Sequence, residues 1–187
     1  MRLIVGISGA SGVIMGYHLL KALRQIPDME VHVVVTEGAA KTFEYETELS
    51  VAEVAALDDV VHDHTNMAAS ISSGSFKTDG MIIIPCSMKT AAGIAAGFAT
   101  NLLLRAADVC IKEGRKVVIV PREMPLSRIH LRNIKELADC GCVVIPPVLT
   151  FYNGAQSVEK QIQHIIGKIL MQFGIDYKEF VPWERAE

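Results

Sequence analysis

The segment Ser87–Thr90 carries residue types suited to binding a small anion. It contains two hydroxyls and one ammonium group, and it directly follows the apolar run Met81–Pro85 and Cys86. The Ala- and Gly-rich stretch after it predicts a helix near Lys89–Ala96, so the segment lies at a strand-to-helix junction. Free N–H groups and the positive end of the helix dipole at such a junction attract phosphate. The sequence favours a ligand site here over a lysine that only faces solvent.

Three glycines form a second candidate phosphate turn. Gly6, Gly9 and Gly12 span the end of the apolar run Leu3–Ile7 and the start of an amphipathic segment. Glycine permits a tight turn and a close approach of the backbone to a ligand. The spacing is not the G-x-G-x-x-G of dinucleotide-binding proteins, and the P-loop lysine is missing. An NAD-dependent oxidoreductase is therefore disfavoured, and a plain tight turn remains an alternative to a phosphate site.

Charged residues further along the chain recur at spacings that could gather them around one pocket. Arg105, Asp108 and Lys112 are three and four positions apart, which places them on one stripe of a helix. From this spacing alone, an exposed ladder of ion pairs is the preferred interpretation. Arg122 and Glu123 are more informative, because they follow a predicted strand at the edge where ligands bind.

Metal-binding patterns in the sequence are weak. His62 and His64 have H-x-H spacing but no third ligand nearby, which predicts histidines of a solvent-exposed loop. Cys140 and Cys142 lack the C-x-x-C spacing and the second ligand pair of a zinc site. Free cysteines in apolar segments are typical of a reducing compartment. We therefore expect no metal ion and a cytoplasmic location.

Strand and helix signals alternate along the whole chain. The predicted strands are Leu3–Ile7, Val31–Val35, Met81–Pro85, Lys116–Val120 and Cys142–Ile145. This pattern predicts an α/β fold: a single-domain, doubly wound, Rossmann-like arrangement over residues 1–187, with a mostly parallel sheet flanked by helices. Ligands of such folds bind beyond the carboxyl ends of the strands. The segments expected to converge there are Ser8–Gly12, Thr36, Cys86–Thr90, Pro121–Glu123 and the loop Pro146–Tyr152.

Composition argues against two classes of partner. The formal net charge of −3 gives no electrostatic case for nucleic acid, which usually requires a basic face. No apolar run reaches the ~20 residues that span a bilayer, so we do not expect a membrane protein. Half of the residues are hydrophobic, and this surplus predicts a buried parallel sheet and contacts between identical subunits.

Together these segments resemble the UbiX-type flavin prenyltransferases over nearly the full length of the chain. The similarity is greatest to the B subunits of non-oxidative hydroxyarylic acid decarboxylase systems. The motifs that carry it are Gly6–Gly12, Ile71–Phe76, Asp79–Thr90, Asn101–Val109, Lys112-Glu113, Pro121–Leu126, His130-Leu131 and Phe151–Asn153.

The resemblance implies a metal-independent enzyme that joins the dimethylallyl group of dimethylallyl monophosphate to N5 and C6 of reduced FMN. Its product, prenylated FMN, is the cofactor of UbiD-type aromatic acid decarboxylases, so such a decarboxylase is the implied partner. Members of the family assemble as homo-oligomers, often dodecamers.

The resemblance also assigns roles to individual residues. Those expected to contact FMN are Gly9, Ala10, Ser11, Thr36, Ser87, Met88, Lys89, Thr90 and Arg122. Those expected to surround the prenyl phosphate are Arg105, Lys112, Arg122, Glu123, Tyr152 and Lys168. Glu48 matches a catalytic acidic position, and Glu123, Lys112 and Tyr152 complete the catalytic set. Clustered cations would stabilise the departing phosphate, and a water-poor cavity would shelter the allylic cation.

Two other functions remain open. A flavin-dependent decarboxylase of the peptidyl-cysteine type shares the expected fold, but its Pro-x-Met-Asn motif is absent from this sequence. A non-catalytic FMN carrier would need only one phosphate-binding turn, whereas this chain adds a set of cations and the acids Glu48 and Glu123.

Overall fold

Apolar strands and amphipathic helices alternate along residues 1–146. The computed structural model describes residues 1–57 and 59–183 of the chain. The strands in these residues are β1 (Arg2–Ile7), β2 (Glu30–Val35), β3 (Val60–His62), β4 (Gly80–Cys86), β5 (Lys116–Pro121) and β6 (Val143–Val144). They form one parallel sheet in the order β3-β2-β1-β4-β5-β6. The predicted Rossmann-like α/β fold is confirmed, and the strand order reverses between β1 and β4.

Polar side chains set where several helices begin. The helices are α1 (Ile14–Leu23), α2 (Glu37–Glu46), α3 (Val51–Ala55), α4 (Met88–Ala95), α5 (Leu102–Lys112), α6 (Arg128–Asp139) and α7 (Val158–Leu170). Thr36, Ser87 and Asn101 each accept a hydrogen bond from the N–H three residues later. Ser50 forms the predicted N-cap of α3, in a capping box with Glu53. In the described part of the chain, no helix is long and apolar enough to cross a membrane.

Strands β1 and β4 form the centre of the sheet. Every residue of β4 and every residue of β1 except Arg2 is buried. The two strands pair from Leu3 opposite Gly80 to Gly6 opposite Ile83. Parallel strands covered on both faces are apolar throughout, which explains why these two were predictable from uninterrupted hydrophobic runs. Their carboxyl ends reach the same edge of the sheet, so the turns that follow them are neighbours.

The edge strand β3 was not predicted, because three residues are too few to show a period. It contains His62, whose Nε2 lies 2.8 Å from Nδ1 of the buried His32. Nε2 of His32 in turn lies 2.8 Å from Oε1 of Glu30. Partial burial and the neighbouring His32 lower the pKa of His62. His62 is therefore a structural residue of the sheet, and its prediction as a solvent-exposed loop histidine is wrong.

Residues from Pro147 onward form a second compact unit. At its start, Thr150 and Gln161 of α7 exchange two hydrogen bonds, of 3.0 and 2.7 Å. Further along α7, the rings of His164 and Phe180 stack with their centroids 4.9 Å apart. This unit is thus held together by contacts between α7 and the segments before and after it. The organisation as a single domain stays a prediction.

Gly16 allows α1 to lie directly on the sheet. A Cβ atom at this position would lie 2.9 Å from the carbonyl oxygen of Ile84. Because a strand carbonyl cannot move aside, we expect Gly16→Ala to lower the free energy of unfolding by about 1–3 kcal/mol. Gly6→Ala is the matched control, since its Cβ would meet the side chains of Leu103 and Met81 and no backbone atom among its nearest neighbours. Urea titrations measure both variants, and equal losses would contradict this explanation.

Candidate active site

The hydroxyl of Ser8 joins the two turns that the sequence marked as anion sites. Its Oγ donates a hydrogen bond to the carbonyl of Pro85 at 3.0 Å and accepts one from the N–H of Ser87 at 2.8 Å. The backbone N–H of Ser8 also donates to Pro85, at 3.2 Å. Ser8 is almost fully buried. The turn after β1 and the turn after β4 are therefore fixed to each other, as their predicted convergence requires.

Two helix N-termini lie at this edge of the sheet. Thr36 caps α2 by accepting from the N–H of Ala39 at 3.2 Å, and its own N–H donates to Ile7 at the end of β1. Ser87 caps α4 by accepting from the N–H of Thr90 at 3.2 Å, and its hydroxyl donates to the Thr90 hydroxyl at 3.1 Å. The positive ends of both helix dipoles thus lie where an anion would bind.

The charge of Lys89 also acts on the first turn of α2. The pKa of Glu37 is lowered chiefly by Lys41, whose ammonium lies 2.6 Å from the carboxylate, with smaller effects from His64 and Lys89. A cation of α4 is thus close enough to influence α2. This agrees with an anion site bordered by both helices.

Gly9 permits a close contact between the turn after β1 and the start of α2. A Cβ atom at position 9 would lie 2.7 Å from the carbonyl carbon of Gly38, whereas a Cβ at Gly38 would lie 3.5 Å from its nearest neighbour, the Cα of Gly9. Only glycine fits at position 9 without moving the helix. The neighbouring Ala10 and Ser11 follow in the same turn and are partly accessible. The glycine turn therefore packs directly against the start of α2.

Glu46 is the acidic residue that the structure brings to the glycine turn. Its Oε2 accepts a hydrogen bond of 2.7 Å from the N–H of Gly12, which has a φ of 91°. The sequence analysis missed it, because no spacing relates residue 46 to Gly12 and the contact depends on the path of α2. Both carboxylates are exposed, but Glu48 lies two residues beyond the end of α2 and has no hydrogen bond to the glycine turn among the described residues. Geometry therefore favours Glu46 over Glu48 as the acid of this site.

Arg122 and Glu123 follow β5 at the same edge. The N–H of Arg122 donates to the carbonyl of Cys86 at 3.1 Å, which places Arg122 next to the Ser87 turn. A carboxylate oxygen of Glu123 accepts from the N–H of Met124 at 2.9 Å. Both charged side chains are exposed. We call the turns after β1 and β4, the start of α2, Glu46 and Arg122-Glu123 the edge crevice.

The charged residues of α5 form a second cluster, the α5 strip. It consists of Arg105, Asp108, Lys112 and Glu113, with the backbone of Ser72 and Gly74. Nε of Arg105 donates to the Ser72 carbonyl at 3.1 Å, and Nη1 pairs with Asp108 at 2.7 Å. Lys112 pairs with Glu113, and a Cβ at Gly74 would collide with both side chains. The pairing between charges agrees with the ladder that their spacing predicted.

The α5 strip and the edge crevice are separated within one chain. Lys112 ends α5 just before β5, and Lys116 at the start of β5 lies opposite Gly80, the first residue of β4. Ser87 follows the other end of β4, and a strand of that length spans roughly 20 Å. Helix α5 thus leads to the amino edge of the sheet. A single subunit therefore does not bring Lys112 to the edge crevice.

Tyr152 and Lys168 belong to the C-terminal unit. The ring of Tyr152 lies edge-on to His164 at 5.7 Å and to Trp183 at 4.9 Å between centroids. Lys168 is exposed on α7. Burial, and secondarily the charge of Lys168, lower the pKa of His164. The predicted roles of Tyr152 and Lys168 in binding a phosphate stay predictions.

The described residues contain no group of three or more His, Cys, Asp or Glu side chains that could hold a metal ion. The donors at the edge crevice are instead N–H groups, hydroxyls and cations, which suit a phosphate.

Known proteins resemble this chain over almost its whole length. The flavoprotein family model matches residues 1–174. A probable UbiX-like flavin prenyltransferase of Sedimentibacter hydroxybenzoicus is 65% identical over 184 residues, 98% of this chain and 97% of that protein. A dodecameric FMN-dependent UbiX-like decarboxylase of Escherichia coli O157:H7 is 51% identical with a TM-score of 0.97, covering 99% and 100% of the two chains. A UbiX protein in complex with FMN and dimethylallyl pyrophosphate is 46% identical with a TM-score of 0.96, covering 100% and 98%.

Removing the Ser8 hydroxyl should destabilise the protein. Ser8→Ala leaves the partly buried N–H of Ser87 without its 2.8 Å acceptor, so we expect the free energy of unfolding to fall by about 1–3 kcal/mol. Thr42→Ala is the control, because it removes an exposed hydrogen bond to Gly38 and should change stability little. Chemical denaturation measures both. A Ser8→Ala variant as stable as Thr42→Ala would show that the two turns do not depend on this hydroxyl.

Proposed function

The chain belongs to the UbiX-like flavin prenyltransferases of the flavoprotein family, and we propose that it transfers a dimethylallyl group from dimethylallyl monophosphate to reduced FMN. The observation that carries the proposal is the likeness to a relative crystallised with FMN and dimethylallyl pyrophosphate, which extends over the whole chain at a TM-score of 0.96. The 65% identity to a protein named as a prenyltransferase supports the same reaction. The product, prenylated FMN, would serve a UbiD-type decarboxylase.

The edge crevice suits the FMN phosphate. Two capped helix N-termini, the hydroxyls of Ser87 and Thr90 and the ammonium of Lys89 supply neutral and cationic donors. The backbone of Gly9, Ala10 and Ser11, with the Thr36 cap, Met88 and Arg122, would complete the binding site. When bound, reduced FMN supplies the nucleophilic atoms N5 and C6.

The acidic and basic side chains at the crevice would act on the departing phosphate and on proton transfer. The guanidinium of Arg122 would stabilise the negative charge that develops on the departing phosphate. The carboxylate of Glu123 would orient the released hydrogen phosphate by accepting a hydrogen bond from its hydroxyl, so that an unprotonated phosphate oxygen can take the proton that leaves C6 on ring closure. Glu46, fixed by the N–H of Gly12, would place a second carboxylate beside the glycine turn. We assign to Glu46 the acidic role that the sequence resemblance gave to Glu48.

The cations of the α5 strip would come from a neighbouring subunit. Arg105 and Lys112 are ordered on the chain's own surface, whereas the edge crevice lies at the carboxyl ends of the strands. A homologue with 51% identity is dodecameric, so subunit contacts are available to bring the two clusters together. In such a homo-oligomer, the strip of one subunit would cover the crevice of the next and supply the phosphate with Arg105 and Lys112.

Anaerobic incubation with reduced FMN and dimethylallyl monophosphate tests the reaction. We expect mass spectrometry to detect a flavin heavier by one dimethylallyl group, and Glu46→Gln to slow its formation by at least about tenfold while Glu48→Gln stays near the wild-type rate. Unmodified FMN would contradict the proposal. Release of carbon dioxide from a cysteine-ending peptide would instead indicate the decarboxylase, and tight FMN binding without either product would indicate a carrier.

Mixed oligomers test the shared site. Glu123→Gln removes a carboxylate from the edge crevice, and Lys112→Ala removes a cation from the α5 strip. A homo-oligomer made of either variant alone should therefore be nearly inactive. Co-expressed chains should regain up to about a quarter of wild-type activity, because random assembly pairs an intact crevice with an intact strip at that frequency.

The control pairs Glu123→Gln with Glu46→Gln. Both lesions lie in the crevice, so no mixture of these chains contains an intact crevice and activity should stay low. Failure of the first pair to exceed this control would show that each subunit builds its own site. The UbiD-type partner and the cytoplasmic location stay predictions.

A further inference from the structure

Arg105 is held in one orientation by two contacts on different edges of its guanidinium. Nε–H donates to the carbonyl of Ser72 at 3.1 Å, and Nη1–H donates to Oδ2 of Asp108 at 2.7 Å. A guanidinium is planar and its donors form a rigid fork, so two contacts in different directions fix the plane as well as the position. Nη2 donates no hydrogen bond to the described residues. The end of the fork thus remains available to an external acceptor.

The loop that supplies the Ser72 carbonyl is held by contacts on both sides of Ser72. Arg115 donates from Nη2 to the carbonyl of Gly74 at 2.5 Å and from Nη1 to the carbonyl of Phe76 at 2.8 Å. Ile71, next to Ser72, is buried in the main hydrophobic core. The loop that contains Ser72 and Gly74 therefore holds Arg105 at Nε. Asp108, one helical turn further along α5, holds it at Nη1.

Stability does not explain the Arg105–Asp108 pair. The two side chains are 36% and 37% exposed, and ion pairs exposed to this extent contribute little to folding. A carboxylate beside an anion-binding arginine also has a cost, since it repels the anion. An orienting role accounts for its position, because a free arginine would lose rotamer freedom each time it bound a phosphate.

We propose that Asp108 is a positioning residue for the prenyl phosphate. Its carboxylate and the Ser72 carbonyl hold Arg105 so that the free end of the guanidinium faces the phosphate group of dimethylallyl monophosphate. This inference rests on the proposed function, in which Arg105 binds that phosphate. It assigns Asp108 no contact with the substrate.

Charge and orientation predict opposite effects of Asp108→Asn. If repulsion between the Asp108 carboxylate and the phosphate were the larger effect, Asp108→Asn would tighten the binding of dimethylallyl monophosphate. If the orientation of Arg105 is the larger effect, the weaker contact with the amide lets Arg105 move and the binding weakens. We expect the Kd and KM for dimethylallyl monophosphate to rise about three- to tenfold, with kcat within about twofold of wild type. Asp108→Glu, which keeps the charge-assisted contact, should restore most of the affinity.

The Kd is measured by calorimetry on the full protein loaded with oxidised FMN, which cannot be alkylated, so binding is read without turnover. In Asp108→Asn, the affinity for FMN and the midpoint of thermal unfolding should stay the same as in the wild-type protein. Asp139→Asn is the matched control, because it breaks the exposed pair between Lys135 and Asp139 on α6 and should leave the Kd unchanged.

A double-mutant cycle separates the inference from its premise. Arg105→Lys should raise the Kd, and adding Asp108→Asn to it should have little further effect, because the fork is already gone. A lower or unchanged Kd in Asp108→Asn, with Arg105→Lys still weakened, would overturn the positioning role alone. An unchanged Kd in Arg105→Lys would overturn the assignment of Arg105 to the phosphate, and the inference with it. Wild-type protein that binds no dimethylallyl monophosphate would overturn the proposed function.

Discussion

The hydrogen bonds of Ser8 link the two central strands where they leave the sheet, and the edge crevice depends on this link. Its hydroxyl connects the carbonyl of Pro85 with the N–H of Ser87, so the glycine turn and the cap of α4 cannot move independently. The close contact of Gly9 with Gly38 adds the start of α2 to the same assembly. The proposed phosphate site thus consists largely of backbone groups that are held in place by the buried Ser8 and by close packing at Gly9.

The course of α5 imposes a second constraint. A crossover between parallel strands must return to the amino edge of the sheet before the next strand begins. Lys112 stands at the end of that return, so its distance from Ser87 follows from the topology and not from a local distortion. Arg105 and Lys112 are nevertheless well ordered, through Ser72, Asp108 and Glu113. Cations held by partners outside the crevice fit the proposal of a site shared between subunits.

Much of the fold could be predicted from the sequence because its signals are local. Uninterrupted apolar runs marked the buried strands, and the polar cap at Ser50 marked the start of α3. Strand β3 is only three residues long and has no recognisable hydrophobic pattern, so its residue His62 was wrongly predicted to be a histidine of a solvent-exposed loop. The edge crevice was likewise predictable in outline, since strand ends lie together in any parallel sheet. Glu46 was not, because its bond to Gly12 depends on how α2 crosses that turn.

The direction of α5 has a consequence for how the protein matures. Under the proposed function, a newly made subunit already contains both helix N-termini and the glycine turn of the flavin site. The cations for the second substrate would reach the crevice only when a neighbour docks. Assembly would then act as a checkpoint that keeps a lone, flavin-loaded chain from cleaving its allylic phosphate in an incomplete, water-filled site.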